Sequence, residues 1–212
     1  MIIGITGLIS SGKDTIADYL VTFHGFKRLS FASSLKDAVS AVFGWDRELL
    51  EGSTKHSREW REQVDTWWAN RLDIPNLTPR YILQQWGTNV LREHFHDSIW
   101  IASVENMLRN NKDDVVITDC RFKNEIIALK SAGGITLRAN RGPRPPWYNI
   151  ADLYNNSLLD KEPLLKKLNE YGIHASEYSS VGLEYDFQID NNGTIDELHN
   201  QISRLIDRQY AK

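Results

Sequence analysis

Short apolar runs alternate along the chain with amphipathic stretches of helical period, the pattern that builds a parallel sheet covered by helices. Residues 1–6 form an apolar run that leads into glycine. Residues 14–23 then set Ile16, Ala17, Leu20 and Val21 on one helical stripe, so the chain opens as strand, turn, helix. Residues 27–31 read as a second strand. A second helix follows over residues 33–43, with Leu35, Val39, Val42 and Phe43 on its apolar side. Residues 113–118 carry Val115, Val116 and Ile117 in a row, as expected of a strand buried on both faces and lying centrally. A helix over 124–131 ends at Gly133 and Gly134, a strand over 135–139 follows, and a strand over 187–190 and a helix over 195–208 flank the turn at Asn192 and Gly193. The fold class is therefore α/β, with five parallel strands expected.

Two stretches break this alternation. Residues 45–100 contain no strand pattern but open consecutive helical ones, over 57–71, 79–94 and 98–110, and so predict a helical lobe spanning 45–110. Residues 141–178 begin RGPRPPW, whose three prolines in four positions preclude regular helix; a short helical pattern follows over 164–171, and the stretch is a candidate lid. The core of this single domain is then 1–44 with 111–212.

Composition narrows the partners. With 25 Lys and Arg against 28 Asp and Glu, the net charge of −3 lacks the basic excess of a nucleic-acid binder and argues against a DNA-translocating ATPase. Cys120 is the single cysteine, so neither an internal disulfide nor a cysteine zinc cluster is expected, and a reducing, cytoplasmic setting is. No run of about 18 apolar residues and no basic leader region occur, so neither a membrane span nor export is expected.

The sharpest chemical signal is Gly7-Leu8-Ile9-Ser10-Ser11-Gly12-Lys13, a G-x-x-x-x-G-K pattern between an expected strand and an expected helix. Its backbone N–H groups can curl around an anion, the helix N-terminus adds positive potential, and Lys13 reaches the β and γ phosphates of a nucleotide. The hydroxyl residue usual after the lysine is replaced by Asp14, with Thr15 next. A carboxylate beside phosphates is favourable where it meets magnesium, directly or through water, and Asp14 is the candidate metal contact; its other role is an acidic residue favoured by the helix dipole. Gly7, Ser10, Ser11, Gly12, Lys13, Asp14 and Thr15 are thus the candidate nucleotide contacts.

Strand ends on the loop side of an open α/β sheet are where ligands bind, which singles out Asp119 and Arg121 after the 113–118 strand. Asp119 suits a metal-bound water or a substrate group, and Arg121 a bidentate phosphate contact; the alternative is an ion pair between them. Glu125, one helical turn beyond Arg121, either positions that guanidinium, binds substrate or is a solvated partner. Lys36, Arg80, Arg141 and Arg144 are further cations of the type that phosphoryl transfer requires, Arg141 standing out because it closely follows an expected strand. Of the seven tryptophans, at 45, 60, 67, 68, 86, 100 and 147, most are expected in the core. His94 and His96 have no third ligand at a convincing spacing and read as surface residues.

The blocks GLISSGKDTIAD, LSFASSLKDAV, RYILQQWGTNVLREHF with DSIWI, VVITDCRFKNE, HASE and FQIDNNGTIDEL, in that order, resemble the bacteriophage deoxynucleoside monophosphate kinases. The resemblance is weakest over 45–77 and 141–171. It implies a three-layer P-loop kinase fold, ATP as phosphoryl donor with Mg2+, and a deoxynucleoside monophosphate as acceptor. It also implies that Arg80, Gly87 and Trp100 line the monophosphate pocket, that Trp100 walls the base, and that Asp119, Arg121 and Glu125 face the acceptor nucleotide. Localisation would be the host cytoplasm if the chain is phage-encoded, and a homodimer is left open. Lys13, Arg80, Asp119, Arg121 and Arg141 are the expected catalytic set, with Lys36 added to the substrate contacts. Animal phosphomevalonate kinases share the GKD, LK and D-x-R pattern. The alternatives are therefore a kinase of phosphomevalonate or dephospho-coenzyme A type, or a nucleotide-binding module without catalysis.

Overall fold

The computed structural model describes every residue except Asn110, Leu159 and Lys212. Its strands are β1 (Ile2–Thr6), β2 (Lys27–Leu29), β3 (Val115–Ile117), β4 (Ile135–Asn140) and β5 (Phe187–Asp190), all parallel, in the order β2-β3-β1-β4-β5. The helices are α1 (Lys13–His24), α2 (Ser33–Phe43), α3 (Arg47–Glu51), α4 (Lys55–Arg61), α5 (Thr66–Leu72), α6 (Pro79–Gln84) and α7 (Ile99–Leu108). They continue with α8 (Lys123–Ser131), α9 (Tyr148–Asn156), α10 (Glu162–Glu170), α11 (Ala175–Tyr178) and α12 (Ile195–Tyr210). A π-helical segment, Gln85–Phe95, continues α6. No helix among the described residues is long and apolar enough to cross a membrane.

The strand alternation sends Ile3 and Ile5 of β1, Leu137 and Ala139 of β4 and Ile189 of β5 to one face, where Ile16, Ala17 and Leu20 of α1 and Leu198, Ile202 and Ile206 of α12 cover them. On the other face α8 packs against β1 and β4 through its buried Ile126 and Leu129. These are the three layers of an α/β/α fold. Thr194 starts α12 with a reciprocal cap, its hydroxyl accepting the Glu197 N–H while the Glu197 carboxylate accepts its own.

Several expectations are corrected. The central strand is β1, and β3 lies second from the edge, although its three residues are fully buried as expected. Val21 and Val42 are exposed, because each lies one position off the stripe set by its buried neighbour, Leu20 and Phe43 respectively. The compact helical unit runs from Ser30 to Asn111 and takes in α2, whereas the sheet unit comprises Met1–Leu29 and Lys112–Lys212. Of the expected 98–110 helix, Ile99–Leu108 forms, and Asn110 lies outside the described residues.

In the helical unit the expected 57–71 helix is two, divided by Asp65. One carboxylate oxygen of Asp65 accepts the Trp68 N–H at 3.1 Å and caps α5; the other accepts the Trp45 indole N–H at 2.8 Å. Trp45, Trp68 and Trp86 gather round Phe43, which stacks on the first at 4.4 Å and meets the other two at 4.8 and 5.4 Å, while Trp67 is exposed. In the sheet unit, the 141–178 stretch carries α9, α10 and α11 instead of one short helix. Tyr148, Ala151, Leu168, Tyr178 and Val181 form a second apolar core there, against which Leu8 of the glycine loop packs. The proline-rich residues before α9 are non-helical, as their missing N–H groups require.

Because Asp65 both caps a helix and satisfies an indole, Asp65→Ala should lower unfolding stability by about 1–3 kcal/mol. Urea titration followed by tryptophan fluorescence reads this directly, and an unchanged midpoint would exclude the double role.

Candidate active site

The geometry of the site begins where β1 stops. Gly7 and Gly12 both hold positive φ, at 152° and 93°. A β-carbon on Gly7 would fall 2.5 Å from the Ala139 carbonyl oxygen, and one on Gly12 would fall 2.2 Å from Asn191 Nδ2, so neither position accepts a side chain without rearrangement. Ser10 adopts φ 62°, a left-handed conformation uncommon outside glycine, and completes the curl. The Asn191 amide, just beyond β5, donates to the Ser11 carbonyl at 3.0 Å and ties the loop to the end of that edge strand. Ser11 Oγ is buried and meets no hydrogen-bond partner among the described residues. Gly12 is the N-cap of α1, whose free N–H groups face the curl.

Cations converge on this loop. Lys13 Nζ donates to the carbonyls of Gly7 and Leu8 at 2.9 and 2.8 Å. Burial first, then the positive Arg121 and Arg138, push the Lys13 ammonium down to about 8 against the pull of Asp14 and Glu177. Arg121 donates to Glu177 of α11 at 2.9 Å. Arg138 on β4 is buried and pairs in register with Thr6, the residue before the loop. It donates to the Ser180 carbonyl and to the Tyr148 hydroxyl, both at 3.1 Å, and to Asn140 Oδ1 at 3.2 Å. A cleft of about 420 Å³ adjoins the loop, lined by Leu8, Arg138, Asn140, Arg141, Arg144 and Tyr148 among others. Its size is that of a small-molecule pocket. Arg144 lies over the Tyr148 ring at 4.6 Å.

The remaining expected site residues are distributed as follows. Asp14 and Thr15 are exposed on the first turn of α1, and Arg28 meets the Asp14 carboxylate at 3.5 Å, its carbonyl at 3.0 Å and Asp18 at 2.9 Å. Asp119 is half-buried just past β3. Glu125 is buried and accepts the backbone N–H groups of Arg121 and Phe122 at 2.7 and 3.0 Å, so it holds the chain at the start of α8. Within the helical unit, Trp100 is buried and donates its indole N–H to the Gly87 carbonyl at 2.8 Å. Arg80 meets Glu62 at 3.3 Å, and Lys36 is buried against Glu51 at 2.6 Å. His94 and His96 are exposed.

Sequence reasoning missed Arg138, Glu177 and Asn191. The signal for Arg138 was present: in ITLRAN the polar Thr136, Arg138 and Asn140 alternate with Leu137 and Ala139, which puts a guanidinium on the inner face of a buried strand. Glu177 lies in the HASE block, and Asn191 immediately precedes the Asn192–Gly193 turn.

No family model matches the chain. A protein of Acanthamoeba polyphaga mimivirus that carries the provisional name deoxynucleotide monophosphate kinase is 29% identical over 222 residues, spanning 98% of this chain and 96% of that one. The deoxynucleoside-5'-monophosphate kinase of Escherichia phage T5 is 26% identical over 174 residues, spanning 59% of this chain and 70% of the relative. Among solved structures, the shikimate kinase of Aquifex aeolicus superposes with a TM-score of 0.45 and 12% identity, over 100% of this chain and 99% of that one.

An anion on the loop would raise the depressed Lys13 pKa again. Binding of sulfate, which does not itself titrate in this range, should therefore be accompanied at pH 9 by net proton uptake that fades towards pH 7, with affinity falling as pH rises through about 8. Calorimetry in two buffers of different ionisation heat measures this, and binding with no proton uptake at pH 9 would contradict the assignment.

Proposed function

We propose that the protein transfers the γ-phosphoryl group of ATP to a deoxynucleoside monophosphate, releasing ADP and the deoxynucleoside diphosphate. The observation that carries this reading is the gathering of Lys13, Arg121 and Arg138 at a glycine loop, with Glu177 bonded to Arg121 and burial opposing the Lys13 charge. Such a site favours a multiply charged anion. The similarity to two viral proteins named for this activity, one of them along nearly the whole chain, supports the choice of substrate and a setting in the host cytoplasm.

In this mechanism the loop N–H groups and Lys13 hold the β and γ phosphates, Lys13 exchanging its carbonyl contacts for phosphate oxygens. A phosphate oxygen of the acceptor forms the new bond to the γ phosphorus as the bond to the β–γ bridging oxygen breaks, so no strong base is required. Arg121 and Arg141 stabilise charge on the transferring group, and Asp119 orients the acceptor side. The cleft beside the loop, with Arg144 over Tyr148, suits the donor nucleoside. The oxygen donors of Asp14 and Thr15 fit a hard cation that keeps phosphate and water in its shell, and magnesium held there would neutralise phosphate charge. Arg80, Gly87 and Trp100 keep the acceptor roles that the family resemblance implies. For Lys36 the same role would require its pair with Glu51 to open.

Coupled ADP release with ATP, magnesium and each common deoxynucleoside or ribonucleoside monophosphate tests the reading; phosphomevalonate and dephospho-coenzyme A complete the panel. Acceptor-dependent ADP with at least one deoxynucleotide is expected, and silence with all of them would overturn the assignment. Lys13→Ala and Arg121→Ala should each lower kcat/KM by roughly 100-fold or more. Near-normal turnover in either variant would remove the role given to that residue.

A further inference from the structure

Arg121 is held at two points by two different acids. Glu125, one helical turn on, accepts its backbone N–H at 2.7 Å and that of Phe122 at 3.0 Å, so the main chain that carries the side chain is fixed where α8 begins. The tip is held from elsewhere: Nη1 donates to Glu177 Oε1 at 2.9 Å and lies 3.5 Å from the Ser176 carbonyl oxygen. Both contacts fall on one amino group. Nη2 and Nε are bonded to no acceptor among the described residues, which leaves one edge of the guanidinium, with its parallel N–H groups, open on a side chain that is 41% exposed.

Glu177 is itself built firmly into place. Its own N–H donates to the His174 carbonyl at 2.9 Å, and its side chain is only 18% exposed. The next residue, Tyr178, is buried in the second apolar core, and the Asn155 amide of α9 donates to the Tyr178 and Val181 carbonyls at 2.7 and 2.8 Å. The carboxylate thus reaches Arg121 from 56 residues further along the chain, on a helix that α9 anchors. A carboxylate beside a site for phosphate weakens anion binding by repulsion, so its presence calls for a compensating contribution. The form of the contact supplies one. A two-pronged pair would consume the edge that a phosphate needs, whereas this pair is single-pronged and uses the other amino group.

We propose that Glu177 is a positioning residue, which clamps one amino group of Arg121 and so aims the open Nε–Nη2 edge at the phosphoryl group in transfer. Arginine is flexible along its stem, and fixing both its main chain and its tip removes that freedom before the substrate arrives. Because the clamp comes from α11, the seating of the α9–α11 segment becomes a condition for Arg121 to act. What the open edge meets rests on the kinase reading above, whereas the clamp rests on the hydrogen bonds of Glu177 and on its burial.

Glu177→Ala should lower kcat by about 10- to 100-fold while changing KM for ATP and for the accepted deoxynucleoside monophosphate by less than about 3-fold. Glu177→Gln, which keeps an acceptor oxygen, should recover part of the loss. In an Arg121→Ala background, Glu177→Ala should cost less than about 2-fold more, because the residue through which it acts is gone. A full additional loss in that background overturns the proposal, as does an unchanged kcat in the single variant. Should thermal melts show that Glu177→Ala does not fold, the same cycle is run with Glu177→Gln. Nitrogen-15 NMR of labelled arginine gives a readout without catalysis: the Arg121 signals, identified by their loss in Arg121→Ala, should show restricted guanidinium rotation in the wild type and free rotation once Glu177 is replaced. If the wild type releases no ADP with any acceptor, the kinase reading fails alone and the NMR decides. Restriction that disappears with Glu177 supports the clamp, and equal mobility in both proteins overturns it.

Discussion

The parallel pairing of β1 with β3 on one side and β4 on the other is the constraint from which the sheet unit's chemistry follows. Parallel neighbours present the same end, so the segments after three strands emerge together: the glycine loop after Thr6, Asp119 and Arg121 after β3, and Arg141 after β4. The register is specific as well as the direction. Thr6 opposite Arg138 brings a buried guanidinium to the root of the loop, and a shift of one residue would turn that side chain to the opposite face, among the isoleucines that meet α1 and α12.

The elements of the sheet unit were legible because their patterns are local. The apolar run into Gly7, the stripe of Ile16, Ala17 and Leu20, and the buried Val115–Ile117 strand need no knowledge of distant residues. The helical unit was less legible. Asp65 divides what periodicity joins because its carboxylate answers to Trp45, twenty residues earlier, and no window of helical length contains both. The candidate site divides in the same way. Lys13 is announced by its motif, but its partners are contributed by residues far along the chain: Arg138 from β4, Glu177 from α11 through Arg121, and Asn191 from beyond β5 through Ser11. Glu125 was singled out by its spacing from Arg121, and its carboxylate holds backbone N–H groups rather than the guanidinium, a distinction that spacing alone does not make.

Both units solve the same electrostatic problem in different ways. In the sheet unit no carboxylate among the described residues is bonded to Arg138; carbonyl, hydroxyl and amide oxygens, with Tyr148 and Tyr185 rings 5.7 and 5.5 Å away, accommodate its charge and keep the residue rigid. In the helical unit Lys36, Arg47 and Arg80 are matched to acids, while the buried Arg61 Nε meets no hydrogen-bond partner among the described residues. Rigid, incompletely neutralised cations cost stability in isolation and favour a bound anion in return.

Leu8 occupies one of the unspecified positions of the glycine-loop pattern, where sequence comparison would tolerate almost any residue. Here its side chain belongs to the apolar core built by α9, α10 and α11. The motif is therefore not a portable cassette: grafted onto another sheet without that hydrophobic neighbour, the same seven residues would lose one of their anchors. Conversely, a designer who recombines the 141–178 segment between homologous chains must treat position 8 as part of the exchanged block, since the boundary that matters for such a chimera follows packing and not the primary structure.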